Sequence, residues 1–192
     1  MSYLRFTIPK RTWMRKLHPM TLNALNPTLP LVGISSCLTG NKVRYDGADK
    51  FNGIVAEHIQ PFVNLLPLCP ESMAGLGIPR PPVNLVQTGG QIRALGRDVA
   101  NLDVTERLLS MGQRIANAYP ELKGFIVQSR SPSCGFNTTP VYTTDQTDVI
   151  TYQGSGLFVT ALLQCMPGLP ILNDCELTPQ KIQYFLNQIN NT

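Results

Sequence analysis

Three short apolar runs in this sequence each end in a cysteine, and few folds accommodate that. Residues 30–36 lead into Cys37, residues 62–68 lead into Cys69-Pro70-Glu71, and Gly124-Phe125-Ile126-Val127 breaks into Ser131-Pro132-Ser133-Cys134-Gly135. Short apolar runs bounded by turn residues read as buried strands. A strand that stops in small polar residues, a proline and a cysteine ends in a shaped loop. Open α/β sheets keep their sites there, outside the carboxyl ends of the strands. If the three strands are parallel neighbours, their three thiols converge on one edge of the sheet.

The other two cysteines do not share this setting. Cys165 stands among Leu162, Leu163 and Met166 at a helix end, which predicts a buried thiol, and Cys175 follows Asn173-Asp174 as a loop thiol. An odd count of five widely spaced cysteines argues against a disulfide scaffold and fits a reducing cytoplasm. With no CxxC pair, and with His18 and His58 far from every cysteine motif, a zinc ribbon and a Cys-His nucleophile pair are both weakly supported. Four uses of the converging thiols remain open: an iron–sulfur cluster, a three-cysteine zinc site, a single reactive thiol, or structural cysteines. Three thiolates on a [4Fe-4S] cluster would leave one iron open as a Lewis acid, suited to a soft sulfur donor.

Charge adds little. The net charge of +4 arises at the start, where Arg5, Lys10, Arg11, Arg15 and Lys16 precede every acid; the remaining 11 basic residues face 12 acidic ones, a balance of −1. A nucleic-acid partner is therefore not expected. No apolar run approaches the ~20 residues that span a bilayer. Residues 1–29 read as a basic, flexible N-terminal extension, and residues 30–192 as one domain.

Further elements follow in order. Residues 53–60 predict a short helix with Ile54, Val55 and Ile59 inward. Gly75, Gly77, Pro79, Pro81 and Pro82 make a shaped stretch around Arg80. Residues 83–98 alternate like a hairpin at the sheet's rim. Asp103-Val-Thr-Glu106 resembles a capping box, opening a helix with Val104, Leu108, Met111, Ile115 and Ala118 as its core stripe. Gly154-Ser-Gly156 opens a helix from Leu157 to Cys165 whose first N–H groups could face an anion. Residues 170–172 predict a strand, and Thr178-Pro179 caps a last helix that docks through Ile182, Phe185, Leu186 and Ile189.

Six segments stand in the order of a known family. They are Ser36-Cys37-Leu38, Val43-Arg44-Tyr45-Asp46-Gly47, Cys69-Pro70-Glu71, Gly75-Leu76-Gly77-Ile78-Pro79-Arg80, Leu102-Asp103-Val104-Thr105 and Ser131-Pro132-Ser133-Cys134-Gly135. Over about residues 30–190 the chain resembles the DUF523 family, which includes thiouracil desulfidase. The resemblance implies a [4Fe-4S] cluster on Cys37, Cys69 and Cys134 with one open iron, supplied by the iron–sulfur assembly machinery. It implies a small thiolated heterocycle as substrate, a 2-thiouracil-like pyrimidine whose sulfur is replaced by oxygen with release of sulfide, without net redox change. Glu71, Asp46 and Ser131 are the expected catalytic residues. Arg44, Arg80 and Ser133 are expected to bind substrate. The rival expectation is a non-catalytic iron–sulfur or zinc protein, a sensor or sulfide carrier. The expected architecture is a single three-layer, Rossmann-like α/β domain with a mainly parallel sheet.

Overall fold

The computed structural model of the chain describes residues 26–191. The expectation for the basic extension falls mostly on residues outside that range. Within it, Asn26 N–H donates to the Asn64 side-chain oxygen at 3.0 Å, and the Asn64 amide donates back to the carbonyls of Asn26 and Leu29 at 2.8 Å each.

The chain runs β1 (Leu31–Ser35), a 3-10 turn (Ser36–Thr39), α1 (Gly53–His58), β2 (Asn64–Leu68), α2 (Pro70–Met73), β3 (Val83–Thr88) and β4 (Gln91–Gly96). It continues with α3 (Thr105–Ala118), β5 (Gly124–Val127), β6 (Thr139–Tyr142), β7 (Val149–Gly154), α4 (Leu157–Cys165), β8 (Ile171–Asn173) and α5 (Pro179–Asn190). One sheet has the order β2-β1-β5-β8, and all its pairs are parallel. Its strands are predominantly apolar, with the polar Ser35, Asn64 and Asn173 at strand ends, because helices cover both faces. Val32, Ile34, Ile126 and Leu172 pack against α1 and α5 through Val55, Ile59, Ile182, Phe185 and Ile189. On the opposite face Phe125 and Val127 meet Met111 and Ile115 of α3 and Phe158 and Leu162 of α4. Phe125 and Phe158 sit edge to face with ring centroids 5.7 Å apart. This is the expected three-layer α/β domain.

The register brings the cysteines together. Ser35 lies beside Leu68, so the 3-10 turn carrying Cys37 and the start of α2 after Cys69 leave the sheet side by side. Ile34 lies beside Ile126, which places the loop after β5 on the same edge.

The hairpin of residues 83–98 is not at the rim of this sheet. β3 and β4 belong to a second sheet of order β4-β3-β6-β7, with β3 parallel to β6 and the other pairs antiparallel. Leu85, Ala94 and Val141 of that sheet pack with Leu108 of α3 and Leu157 of α4. Pairing between strands more than fifty residues apart leaves no local trace in the sequence. Other expectations also change. Ile54 is 43% exposed while Val55 and Ile59 are buried, so α1 turns a narrower face inward. On α3 the stripe ends at Ala116, and Ala118 is exposed. Asp103 caps that helix two residues on, by accepting from Thr105 N–H at 2.9 Å, rather than through a box with Glu106. Cys165 is exposed, because α4 turns its last residues toward solvent. α5 docks as expected, with Thr178 Oγ1 accepting from Lys181 N–H at 3.3 Å.

Candidate functional site

A cleft of about 480 Å³ opens between the carboxyl edge of the parallel sheet and the second sheet. Cys37, Cys69 and Cys134 all line it, together with Glu71, Arg44, Arg80 and Ser131. The second sheet contributes Val83, Asn84 and Tyr142 to the opposite wall.

Each thiol is held by its own local device. Cys37 lies in the 3-10 turn that continues β1; its carbonyl accepts from Lys50 N–H at 2.9 Å, closing the loop of residues 37–50. Cys69 is the extended residue before α2, with Pro70 starting the helix, and its thiol donates to Val43 O at 3.5 Å. Cys134 sits in a turn that Ser131 organises: Ser131 Oγ accepts from Cys134 N–H at 3.1 Å and from Ser133 N–H at 3.3 Å. The start of α4 completes that turn. Gly156, Leu157 and Val159 donate their N–H groups to Gly135 O, Pro132 O and Ser133 O at 2.7, 3.0 and 3.2 Å. A Cβ on Gly156 would collide with the Ser133 backbone, so only glycine allows this approach. The glycine-led helix start therefore serves the Cys134 loop, and these N–H groups are not offered to an anion.

Burial pushes the Cys37 thiol up to about 11, and the neighbouring Cys69 adds to the effect. Burial also pushes Cys134 well above the ordinary thiol value, with Cys69 and Cys37 contributing in the same direction. The two buried thiols, Cys37 and Cys134, resist ionisation until a cation enters beside them, and coordinated thiols are deprotonated outright. Soft, all-sulfur donors of this kind fit an iron–sulfur cluster. Among the described residues, no three His, Cys, Asp or Glu side chains close around one metal-ion position.

The carboxylate beside them is clamped. Glu71 Oε2 accepts from Arg80 Nε at 2.6 Å, and Ser133 Oγ donates to Glu71 Oε1. The Glu71 side chain is 13% exposed and faces the cleft. Ser133 is buried at 1% exposure and does not line the cleft. Asp46 is exposed outside the lining residues; it accepts from Ala48 N–H at 3.0 Å and pairs with Arg44 Nε at 3.4 Å. The Ala48 N–H and Arg44 hold its carboxyl below the ordinary value.

Several residues at the site carry no motif of their own. Gln128 directly follows β5, with its side chain between Cys37 and Arg44, 3.8 Å from the thiol and 3.4 Å from Arg44 Nη1. Asp174, whose side chain is 5% exposed, pairs with Lys50 at 2.9 Å and accepts from Ser129 N–H at 2.7 Å. It thereby ties the Cys37 loop to the strand-end loop after β5. Gln128 follows a strand in the same polar run as Cys134, and that position is the one signal that could have found it. Asp174 has no such signal.

Comparison with known proteins follows the same lines. The family described as 2-thiouracil desulfurase matches residues 32–174. No curated protein matches the chain. A solved structure titled as a [4Fe-4S]-dependent thiouracil desulfidase, TudS, superposes with a TM-score of 0.61 at 24% identity, covering 82% of this chain and 98% of that one. At that identity the likeness speaks for the fold, while the family match covers most of the chain and takes in all three cysteines of the cleft. The chain belongs to the 2-thiouracil desulfurase family, the DUF523 family that its motifs resemble.

Proposed function

We propose that the protein is a desulfidase that replaces the sulfur of a 2-thiouracil-like pyrimidine with oxygen and releases sulfide, using a [4Fe-4S] cluster on Cys37, Cys69 and Cys134. The observation that carries the reading is the convergence of these thiols, from three separate strand ends, on one cleft beside a clamped carboxylate. When bound, a cluster with three protein ligands supplies an open iron, a soft Lewis acid for a thiocarbonyl sulfur.

The chain's own residues account for the rest. Glu71 presents a carboxylate to the cleft, two residues from one thiol and hydrogen-bonded to the neighbour of another. It orients a water toward the ring carbon and takes its proton. Ser131 Oγ already accepts two backbone N–H groups, so its own hydrogen is left to donate to the ring. Arg44 lies 5.6 Å from the Tyr45 ring centroid and forms part of the wall that a flat heterocycle would meet. Asp46, outside the lining, acts on Arg44 and not on substrate. Water adds oxygen and sulfide leaves, so the exchange needs no external reductant.

The test is turnover of 2-thiouracil by protein purified and reconstituted without oxygen, following uracil and sulfide together. One sulfide per uracil from the wild type, and neither from Cys134→Ala, is the expected result. A wild type that carries the cluster and binds sulfide without releasing uracil would make it a carrier or sensor instead.

A further inference from the structure

We infer that Arg80 is a positioning residue joining the cysteine cradle to the carboxylate beside it, holding Glu71 with one edge of its guanidinium and the Cys69 sulfur with the other. The inference rests on the desulfidase reading and gives Arg80 a role other than substrate contact.

The Arg80 side chain is 4% exposed, and all three of its nitrogens have protein acceptors. Nε donates to Glu71 Oε2 at 2.6 Å. Nη1 donates to Val43 O and Gly77 O at 3.0 Å each, and to Ser72 Oγ at 3.3 Å. Nη2 lies 3.9 Å from Cys69 Sγ. A buried charge persists only where it is paired and hydrogen-bonded, and this one is paired with Glu71. Two glycines make the enclosure possible: Gly75 and Gly77 adopt φ of +81° and +79°, turning the chain so that Gly77 O reaches back to the guanidinium.

Two of its contacts point beyond folding. Arg80 donates both to Val43 O, which also accepts from the Cys69 thiol while that thiol is protonated, and toward the Cys69 sulfur itself, a contact that persists when the thiol is a ligand and can no longer donate. Glu71, gripped by Arg80, reaches Ser133, the residue before Cys134. A continuous chain of hydrogen bonds thus runs from the Cys69 loop through Arg80 and Glu71 to the Cys134 loop. A planar guanidinium can direct donors at a carboxylate and a sulfur at once; an ammonium cannot hold both. Donors to ligand sulfurs set the potential of an iron–sulfur cluster. Partners that orient ligands and functional groups typically cost about 10–100-fold when removed.

The experiment compares anaerobically reconstituted full-length wild type, Arg80→Lys and Arg80→Gln. It reads iron and sulfide content, the cluster potential by redox-titrated EPR, and kcat and KM for 2-thiouracil. The expected result is cluster content near wild type, kcat lower by about 10–100-fold in both variants, KM little changed, and a more negative potential in Arg80→Gln. If Arg80→Gln does not fold, Arg80→Lys carries the kcat comparison. A variant with wild-type kcat and potential overturns the inference. A raised KM at unchanged kcat also overturns it, since Arg80 would then touch substrate. A wild type that holds the cluster but never converts thiouracil defeats the desulfidase reading instead, and the potential comparison still decides whether Arg80 reaches Cys69.

Discussion

Cys37 and Cys134 are buried while Cys165 and Cys175 are exposed, and that difference orders their chemistry. Thiolate is the reactive form, and burial keeps the first pair protonated at neutral pH. In cluster-free protein, iodoacetamide at pH 7.5 should label Cys165 and Cys175 well before Cys37 and Cys134, as read by peptide mass spectrometry. Equal rates would contradict the burial described above. The two acids should also separate. Glu71→Gln should lower kcat by about 100-fold or more, as removal of a general base does, with the cluster retained. Asp46→Asn should change kcat far less, because Asp46 is not among the residues lining the cleft and its partners are Ala48 N–H and Arg44. Equal losses in the two variants would return Asp46 to the reaction. At this scale the sequence was informative where chemistry is carried by residue type and a strand end. The placement of the three cysteines, Glu71 and Ser131 at one cleft could be anticipated that way. Gln128 had only its place after a strand to mark it, and Asp174 had nothing, because their contacts depend on which loops meet in space.

The elements that hold the site can be broken individually. Gly156 allows the start of α4 to close against the Ser133 backbone, and that contact fixes the Cys134 loop. Gly156→Ala should destabilise the fold by about 1–3 kcal/mol, the usual range for overpacking, and should lower cluster retention. Urea melts and iron content check both; an unchanged midpoint with full iron content would contradict the contact. The start of α5 is tied differently. Lys181, then Asn173, hold the Glu176 carboxyl below its ordinary value. A lowered folded-state value adds stability above the unfolded value, and that stability is lost as pH falls through the folded value. The gap in Tm between wild type and Glu176→Gln should therefore be present near pH 7 and close progressively below about pH 4.5. A gap independent of pH would show that the carboxylate's charge is not involved. Helix existence and the α5 face were legible from apolar spacing and the Thr178-Pro179 cap. Ile54 and Ala118 were misplaced because helix ends turn to solvent wherever neighbouring elements stop covering them. The glycine-led start of α4 was read as open, although a loop from elsewhere in the chain occupies its N–H groups.

At the scale of the whole molecule, the cleft exists because two sheets meet. The parallel sheet supplies the thiols and Glu71's helix, and the second sheet supplies the opposite wall through Val83, Asn84 and Tyr142. The parallel sheet was legible because each of its strands is a local apolar run, as strands covered on both faces are; its register was not, because a continuous apolar run carries no alternation to fix it. The second sheet was not, because β3 pairs with β6 across a long stretch of chain that includes α3 and β5. Among the described residues no helix is long and apolar enough to cross a membrane. The most direct test of the central claim is the visible spectrum with iron and acid-labile sulfide content, on wild type and Cys134→Ala purified without oxygen. The account predicts a broad brown absorbance near about 400 nm, with on the order of four iron and four sulfide per chain, absent in Cys134→Ala. A wild type that stays colourless and iron-free after anaerobic reconstitution would contradict it.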